Sequence, residues 1–395
     1  MTQQKEVVIV SAVRTAIGTY GGDLKDVPAV ELAGRCVSEA VNRAGIEADS
    51  VEHVVFGNVV HSEPRDAYLA RCATILGGLP EATPALTVNR LCGSGLQAIV
   101  SASQGILLGE YDCAVAGGAE NMSRVPYYLP GLRWGARLGD SQAIDGVTAA
   151  LQDPFGNGHM GCTAENLAEK YGISREDQDA LAVESHHRAA RAWEEERFKE
   201  QIIPIEIKHR KGVKIFDRDE HFRGDATVEG MASLRAVFQK DGTVTAGNAS
   251  GINDAAAALV LMERGAAEAR GIKPLARLVG YAYAGVDPKI MGIGPVPAVR
   301  SVMQKTGLSI ADMDTIELNE AFAAQALSVI RELDLPIEKT NPNGSGISLG
   351  HPIGATGAVI ATKALYELER IGGRYGLITM CIGGGQGNAA IIERL

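Results

Sequence analysis

One cysteine stands at a junction that favours a reactive thiol. The stretch "VNRLCGSGLQAI" (88–99) leads from a strand-like segment through Cys92 and small residues into an apolar helical pattern. A thiol at a helix N-terminus meets the positive end of the dipole and unpaired N–H groups, so we expect a lowered pKa and a nucleophile. The alternative is a small buried hydrophobic residue, the commoner use of a cysteine. Gly93 and Gly95 favour the first interpretation because they leave room for a ligand to approach the backbone.

Three more polar residues occupy similar junctions later in the chain. His351, in "GSGISLGHPIGATG", precedes a helical pattern and could take the thiol proton, although a lone histidine is more often structural. Cys381 ends the strand-like "LITMCI" before "GGGQG", which fits either an oxyanion-binding loop or a packed strand with a tight turn. Asn319, in "ELNEAFAAQ", either caps the following helix or holds a catalytic water.

An internal repeat indicates which elements position these residues. "AVNRAGIEADSVEHVVFGN" (40–58) resembles "VMQKTGLSIADMDTIELNE" (302–320), and "LLGEYDCAVAGGAEN" (107–121) resembles the segment 370–388, where Gly109 matches Gly373. The segment after Cys92 also resembles the one after Gly350, and all three offsets are about 260 positions. We therefore expect two related halves whose equivalent loops meet, which would bring Cys92 and His351 together.

Each half alternates short β-branched strands with Ala-rich helices, which predicts an α/β fold of largely parallel sheets covered by helices. Between the halves the composition changes: Trp134 and Trp193 occur there, as does a charged helical segment with Ser174 and Asp177 at capping positions. This indicates an inserted subdomain. The predicted bounds are 1–119 for the first half, 120–250 for the insertion, 251–272 for a return to the first half, and 273–395 for the second half.

Composition excludes several classes of protein. The net charge of -10 argues against a nucleic-acid-binding protein, which usually carries a basic excess. Six scattered cysteines without a C-x-x-C pair suggest neither a zinc site nor a disulfide framework and fit a reducing, cytoplasmic setting. No apolar run approaches the ~20 residues that span a bilayer, and the N-terminal apolar run is too short for a signal sequence, so we expect no membrane association.

Together, "NRLCGSG", "NEAFA", "GHPIG" and "CIGGGQG", in this order, closely resemble the thiolase family of acyl-CoA C-acyltransferases. The resemblance covers essentially the whole chain, including "GHMGCTAEN" (158–166) and "GTVTAGNASGINDAA" (242–256), and is greatest to short-chain, biosynthetic β-ketothiolases such as those feeding polyhydroxyalkanoate synthesis. It implies a duplicated, layered α/β/α/β/α fold with an inserted loop subdomain. It also implies acetyl-CoA and short 3-ketoacyl-CoA as substrates, no separate cofactor or metal, and a homotetramer built as a dimer of dimers.

The resemblance also implies roles for individual residues. Cys92 would be acylated with His351 as its base, and Cys381 would move the proton of the substrate α-carbon. The N–H groups of Cys92 and Gly383 would form one oxyanion hole, and His351 with a water held by Asn319 would form the other. Coenzyme A would meet Arg223 at its adenine and Ser250 at its pantetheine arm, and its tunnel would be lined by Leu151, His159, Met160, Phe238, Ala246 and Met291.

The segment 205–223 holds six Lys and Arg against four Asp and Glu, which suits the phosphates of coenzyme A or simply forms a solvated charged hairpin. Two departures from the family pattern stand out. Gly230 stands where related enzymes commonly have a serine that contacts the nucleotide end of coenzyme A. "NGSGISLGH" differs from the commoner "NGGAIALGH" at three positions, among them Ser345 and Gly346, which could change the acyl pocket or the packing of the loop.

Three other functions compete with a short-chain biosynthetic thiolase. "GNGHMG" (156–161) matches the dinucleotide-binding pattern G-x-G-x-x-G, but it follows "LQDPF" rather than a strand, so the required context is missing. A non-catalytic acyl-CoA-binding protein on the same scaffold would not need both cysteines, the histidine and the asparagine. A degradative 3-ketoacyl-CoA thiolase of longer chain length stays open, because only the width of the pocket would separate it from the biosynthetic type.

Overall fold

The computed structural model describes residues 5–209 and 212–395. Its strands are β1 (Val7–Thr15), β2 (Gly18–Thr19), β3 (His53–Gly57), β4 (Ala85–Val88), β5 (Cys113–Asn121), β6 (Tyr127–Tyr128), β7 (Ile144–Asp145), β8 (Ile202–Ile203), β9 (Ile205–His209), β10 (Gly212–Phe216), β11 (Asn253–Glu263), β12 (Ala276–Gly285), β13 (Thr315–Leu318), β14 (Tyr375–Ile382) and β15 (Gln386–Arg394). Its α-helices are α1 (Ala29–Ala44), α2 (Leu69–Leu76), α3 (Ser94–Leu108), α4 (Gly146–Ala150), α5 (Met160–Tyr171), α6 (Arg175–Glu194), α7 (Val228–Ala232), α8 (Arg264–Ala269), α9 (Pro295–Thr306), α10 (Ala323–Leu333) and α11 (Thr356–Ile371).

The strand order confirms the duplication. The main strands run β13-β14-β15-β12-β1-β11-β5-β3-β4, with β2 beside β11 and β8 beside β1. From β1 outward the order is β11, β5, β3, and from β12 outward it is β15, β14, β13, so each half repeats the other. The halves join where β1 and β12 share a short antiparallel contact.

The expectation of largely parallel sheets is wrong, because the sheets are mixed. β3 pairs in parallel with β4 and β5, and β13 with β14. The long pairs β1 with β11, β11 with β5, β12 with β15 and β14 with β15 are all antiparallel. In the second half the reason is local: Gly384 and Gly385, at φ 78° and 86°, make a tight turn that sends β15 straight back along β14.

Two helices form the middle layer of the molecule. α11 is buried along most of its length and packs against α3 and against strands of both halves. α1 and α2 cover the first half and α9 the second, which gives the predicted α/β/α/β/α layering. Where α3 and α11 begin, a Cβ added at Gly95 would lie 2.6 Å from Ala358 N, and one at Gly357 would overlap Leu96 N. These two glycines let the helix starts approach, and the helix starts follow Cys92 and His351.

Helix-ending glycines repeat between the halves. α1 ends at Gly45 and α9 at Gly307, both left-handed, with φ 65° and 71°. α3 ends at Gly109, and its counterpart at the end of α11 is Gly372, with φ 65°. The match of Gly109 to Gly373 is therefore wrong by one position, because the residue that must adopt the left-handed conformation is Gly372.

The segment between β5 and β11 packs on the first half through buried polar contacts. Asp219 accepts two hydrogen bonds from Arg14 of β1, at 2.8 and 3.0 Å, and both side chains are fully buried. In the same segment Ser174 caps α6 by accepting the Asp177 N–H at 3.0 Å. Of the basic segment 205–223, β9 and β10 form a hairpin, and Arg210 and Lys211 lie outside the described residues. The predicted domain bounds stay predictions.

Among the described residues, one stretch, Leu91–Leu108, is long and apolar enough to cross a membrane by composition. It comprises α3 and the turn before it, and 61% of it is buried within the protein. A core helix of a soluble protein has the same properties, so this stretch is weak support for a membrane span.

Candidate active site

The turn that carries Cys92 is held by its own side chains. α3 begins at Ser94, so Cys92 lies two residues before the helix. Leu91 adopts a left-handed φ of 46°, a conformation that costs a non-glycine residue free energy and clusters at functional sites. Asn89 Oδ1 accepts the Leu91 N–H at 2.9 Å, and Ser94 Oγ donates to Leu91 O at 2.6 Å. The turn is thus fixed from both ends around the thiol.

The lowered pKa expected for Cys92 is wrong. Burial raises the pKa of the Cys92 thiol to about 11, the hydrogen bonds from the N–H groups of Gly383 and of Cys92 itself lower it, and the charge of Glu120 raises it. Neither of these N–H groups belongs to α3, which begins at Ser94, and the loss of water outweighs both. The resting thiol is therefore protonated at neutral pH and needs a base.

The hydrogen bonds and the pKa of His351 both suit a base. Its backbone N–H donates to Asn253 Oδ1 at 2.9 Å, and its Nδ1 lies 2.7 Å from Thr356 Oγ1. The Thr356 hydroxyl donates its only proton to Pro352 O at 2.9 Å, so it accepts from His351 Nδ1–H and leaves Nε2 unprotonated, with the Asn319 amide nitrogen 3.4 Å away. Burial lowers the pKa of His351 to about 4, which keeps the ring neutral at pH 7.

Asn319 does not cap a helix. α10 begins at Ala323 with Phe322 in the N-cap position, so the capping interpretation is wrong. The Asn319 amide nitrogen lies 3.4 Å from His351 Nε2. Among the described residues its buried Oδ1 has no hydrogen-bond partner. The side chain thus lies beside the histidine; it is fully buried and is not among the residues that line the active-site cavity.

The backbone on both sides of Asn319 is clamped. Asn341 Oδ1 accepts the Leu318 N–H at 2.9 Å, and the Asn341 amide donates to Leu318 O and to Glu320 Oε1, both at 2.8 Å. A Cβ at Gly346 would lie 2.8 Å from Asn319 Oδ1. The departure at Gly346 therefore makes room beside this asparagine.

Ser345, another departure in that loop, bonds to the residue before Asn319. Its hydroxyl donates to Leu318 O at 3.0 Å. The effect of the "NGSGISLGH" sequence is therefore on the packing of this loop. Gly230, in contrast, lies exposed in the short helix α7, where its N–H donates to Thr227 Oγ1 at 3.1 Å.

Cys381 is both packed and on the wall of a cavity. It lies near the end of β14 and is buried, and burial raises its pKa well above the ordinary value, with the charge of Cys92 acting in the same direction. The turn beginning at Gly383 follows directly. The two interpretations of this segment are therefore compatible, since a packed strand end brings its thiol to the site.

Glu120 is a buried carboxylate near the site that sequence reasoning missed. Its Oε1 accepts from Asn58 Nδ2 and Val60 N, both at 3.1 Å, and its Oε2 accepts from Val59 N at 3.0 Å and Gly354 N at 2.9 Å. Burial raises its pKa to about 8, while the backbone N–H groups lower it. This carboxylate ties the loop after β3 to the loop after His351. The available signal was a lone acid at the end of the apolar "CAVAGGAEN".

A single cavity of about 660 Å³ collects most of the predicted site. Its wall includes Cys92, His351, Cys381 and Gly383. Of the eight residues expected to contact coenzyme A, seven also line this cavity: Leu151, His159, Met160, Phe238, Ala246, Ser250 and Met291. Arg223 is exposed and lies outside the lining, with its N–H bonded to His186 Nδ1 at 3.1 Å. Its role at the adenine stays a prediction.

Two family models match this chain almost end to end. The thiolase N-terminal domain matches residues 7–265, and the thiolase C-terminal domain matches residues 272–394. The chain belongs to the thiolase family. This thiolase is 62% identical over 392 residues to beta-ketothiolase BktB of Cupriavidus necator, which covers 99% of this chain and 100% of that protein. It is 49% identical to acetyl-CoA acetyltransferase of Syntrophomonas wolfei, over 99% of this chain and 100% of that protein.

Solved structures agree with the fold. The acetyl-CoA acetyltransferase of Bacillus anthracis superimposes with a TM-score of 0.98 at 50% identity and covers 100% of both chains. Human mitochondrial 3-ketoacyl-CoA thiolase in complex with CoA superimposes with a TM-score of 0.96 at 45% identity, over 99% of this thiolase and 98% of that chain. The layered arrangement of this chain is thus that of solved thiolases.

Proposed function

We propose that this thiolase is an acyl-CoA C-acyltransferase that joins acetyl-CoA to a second acetyl-CoA or a short acyl-CoA, reversibly, to give a 3-ketoacyl-CoA and coenzyme A. The observation that carries the proposal is the presence of Cys92, His351 and Cys381 on the wall of one cavity. The names of the beta-ketothiolase and acetyl-CoA acetyltransferase relatives support the substrate class. The fold relative in complex with CoA supports coenzyme A thioesters as ligands.

In the first half-reaction, neutral His351 accepts the thiol proton at Nε2 and Cys92 Sγ attacks the thioester carbonyl. The carbonyl–sulfur bond of the substrate breaks, and coenzyme A leaves with the proton. The negative charge on the carbonyl oxygen falls beside the N–H groups of Cys92 and Gly383, which already bond to the Cys92 sulfur in the resting enzyme. The product of this step is an acylated Cys92.

In the second half-reaction, neutral His351 takes the Cys381 thiol proton, and the Cys381 thiolate removes a proton from the α-carbon of acetyl-CoA. The resulting enolate attacks the acyl group on Cys92, the acyl–sulfur bond breaks, and the released Cys92 thiolate recovers a proton from His351. His351, together with a water held by Asn319, stabilises the enolate oxygen. The 3.4 Å separation of Asn319 Nδ2 and His351 Nε2 and the unpartnered Oδ1 of Asn319 support this role. Thiolysis runs the same steps in reverse, and coenzyme A thioesters are substrates rather than resident cofactors.

The second candidate is a degradative 3-ketoacyl-CoA thiolase of longer chain length. Likeness to the human mitochondrial 3-ketoacyl-CoA thiolase favours it. Thiolysis rates over a series of 3-ketoacyl-CoA chain lengths decide between the two, since a biosynthetic enzyme should lose kcat/KM sharply beyond the shortest substrates. A non-catalytic binding protein is disfavoured because the two thiols and the histidine converge on one cavity.

A homotetramer and a cytoplasmic location complete the proposal. The six cysteines are all free thiols, which fits a reducing compartment. The inserted segment exposes Trp134 at 91% and Leu138 at 98% within "RWGARLGDS", apolar surface of the kind that oligomers cover. Sedimentation of the wild-type protein tests the tetramer, and a monomeric species at micromolar concentration would exclude it.

Iodoacetamide labelling with peptide mass mapping tests the mechanism directly. We expect acetyl-CoA to protect Cys92 from labelling, because the thioester would occupy the cavity that this thiol lines. Labelling of Cys92 at the same rate with and without acetyl-CoA would overturn the assignment. A Cys381→Ser variant should still acylate Cys92 but fail to exchange an α-proton of acetyl-CoA with deuterated water, and unchanged exchange would remove Cys381 from the mechanism.

A further inference from the structure

One histidine on the wall of the active-site cavity has no part in the proposed mechanism. His221 is half-buried and lines the cavity together with Ser250 and Gly251. The backbone of Gly251 lies directly against the imidazole ring, since a Cβ there would come within 2.5 Å of His221 Cε1. The imidazole thus borders the serine that was expected to contact the pantetheine arm.

The segment that carries His221 is held rigidly on both sides. Glu220 accepts the Thr19 N–H at 2.9 Å, and Asp219 is bonded to buried Arg14. On the other side, the Arg223 N–H donates to His186 Nδ1 at 3.1 Å. A side chain fixed in this way loses little further freedom when a ligand binds, so its hydrogen bond contributes to affinity efficiently.

Apart from Cys92, His351 and Cys381, few polar side chains line this cavity. They are Gln152, His159, His221 and Ser250. His159 is already engaged, because its Nδ1 accepts the Gly161 N–H at 3.1 Å and its ring stacks on Phe238. In residues 5–209 and 212–395 neither the His221 ring nor the Ser250 hydroxyl has a hydrogen-bond partner, although other groups around them do.

We infer that His221 is a substrate-binding residue that, beside Ser250, hydrogen-bonds an amide of the pantetheine arm of the coenzyme A thioester; this inference rests on the proposed function. A secondary amide offers one N–H donor and one carbonyl acceptor. A neutral imidazole offers one donor and one acceptor, and a serine hydroxyl offers both, so the pair matches the chemistry of the arm. Burial lowers the pKa of His221 to about 4, with Arg223 acting in the same direction, so the ring is neutral at pH 7.

Acylation of Cys92 by two thioesters tests this inference. The pseudo-first-order rate is measured by intact-protein mass after an acid quench, with acetyl-CoA and with S-ethyl thioacetate, which has no amide. In His221→Ala the rate constant with acetyl-CoA should fall about tenfold, the loss expected for one hydrogen bond, while that with S-ethyl thioacetate stays the same. His221→Gln, which keeps a donor and an acceptor, should remain within about threefold of wild type.

His53→Ala is the matched control, because His53 is also half-buried but stacks on Tyr111 and does not line the cavity. It should change neither rate. An unchanged rate with acetyl-CoA in His221→Ala, or an equal loss with both thioesters, would overturn the inference. Because the measured quantity is the rate constant of acylation and not the amount of acylated protein, a misfolded fraction of a variant does not change it. Failure of wild-type Cys92 to accept any acetyl group would instead overturn the proposed function.

Discussion

At the scale of single residues, the proposed chemistry depends on a neutral histidine and a protonated thiol on the wall of one cavity. Burial pushes the pKa of Cys92 up to about 11 and that of His351 down to about 4, so both groups are uncharged in the resting enzyme. An uncharged pair can transfer its proton when a thioester carbonyl arrives to accept the developing negative charge. The direction of that transfer depends on which histidine nitrogen is free, and Thr356 decides this.

Removing the Thr356 hydroxyl should therefore impair the base. In Thr356→Val nothing accepts the His351 Nδ1–H, so the ring can turn or change tautomer, and we expect kcat of acetoacetyl-CoA thiolysis to fall at least about tenfold with KM little changed. Thr356→Ser keeps the acceptor and should stay within about threefold of wild type. Steady-state kinetics of the three proteins measure this; a change in KM alone would mean that Thr356 does not position the base.

The pH dependence of acylation follows from the lowered pKa of His351. Its base form is lost only as the pH falls toward about 4, whereas an ordinary histidine titrates near pH 6.5. We expect the rate of Cys92 acylation by acetyl-CoA to change less than about twofold between pH 8 and about pH 5.5, where an ordinary histidine would cost about tenfold. Rapid-quench mass spectrometry measures it, and a midpoint near pH 6.5 would contradict a buried, neutral base.

At the scale of elements, two helix starts bring the halves of the site together. α3 and α11 meet at Gly95 and Gly357, and the loops preceding these helices carry Cys92 and His351. Glu120 reinforces the same junction by holding Gly354 and the loop after β3. The spacing of the two helix starts is thus set by backbone contact, which leaves little tolerance for added volume.

A methyl group at Gly357 should separate these helices. Its Cβ would overlap Leu96 N, which is backbone and cannot move aside, so Gly357→Ala should lower the free energy of unfolding by about 1–3 kcal/mol and also reduce kcat. Gly131→Ala is the control. There the added Cβ would lie 3.5 Å from Ser141 Oγ, an ordinary contact, and the cost should stay within about 0.5 kcal/mol. Urea denaturation and thiolysis assays measure both variants, and equal stability of the two would refute the close-contact argument.

At the scale of the whole molecule, the inserted segment must be held firmly, because it supplies much of the cavity wall. Leu151, His159, Phe238 and Ala246 all come from it. Its buried attachment to the first half includes Arg14 and Asp219, where Asp219 also accepts from Trp193 Nε1 at 3.2 Å. A buried ion pair is costly to break, since the partner left behind keeps an uncompensated charge.

Asp219→Asn should therefore destabilise the protein by about 3–5 kcal/mol and expose the insertion to proteases. Glu196→Gln provides the comparison, because Glu196 pairs with Lys199 at 3.0 Å on the surface and should contribute less than about 1 kcal/mol. Denaturation midpoints and limited proteolysis report on both. If Asp219→Asn unfolds at the same urea concentration as Glu196→Gln, the ion pair does not anchor the insertion.

Much of this protein could be read from local sequence, because the informative residues lie at junctions with strong local signals. The repeat identified the two halves, since equivalent helix ends require a left-handed glycine at equivalent places, as at Gly45 and Gly307. The four motifs placed Cys92, Cys381 and Asn319 where a strand-like segment ends, and His351 in the loop before a helix. Those assignments needed only the order of the residues and the family resemblance.

Strand direction and ionisation were decided by tertiary structure. β11 returns to the first half after the inserted segment and runs antiparallel between β1 and β5, which no local pattern encodes. The pKa of Cys92 depends on how much water distant segments exclude, so the helix start alone predicted the wrong direction. The partners of Glu120 and the approach of His221 to Gly251 likewise join residues far apart in sequence. Sequence thus determined which chemical groups the site contains, and packing determined their charge, their tautomer and their contacts, because desolvation and hydrogen bonding depend on neighbours that only folding brings near.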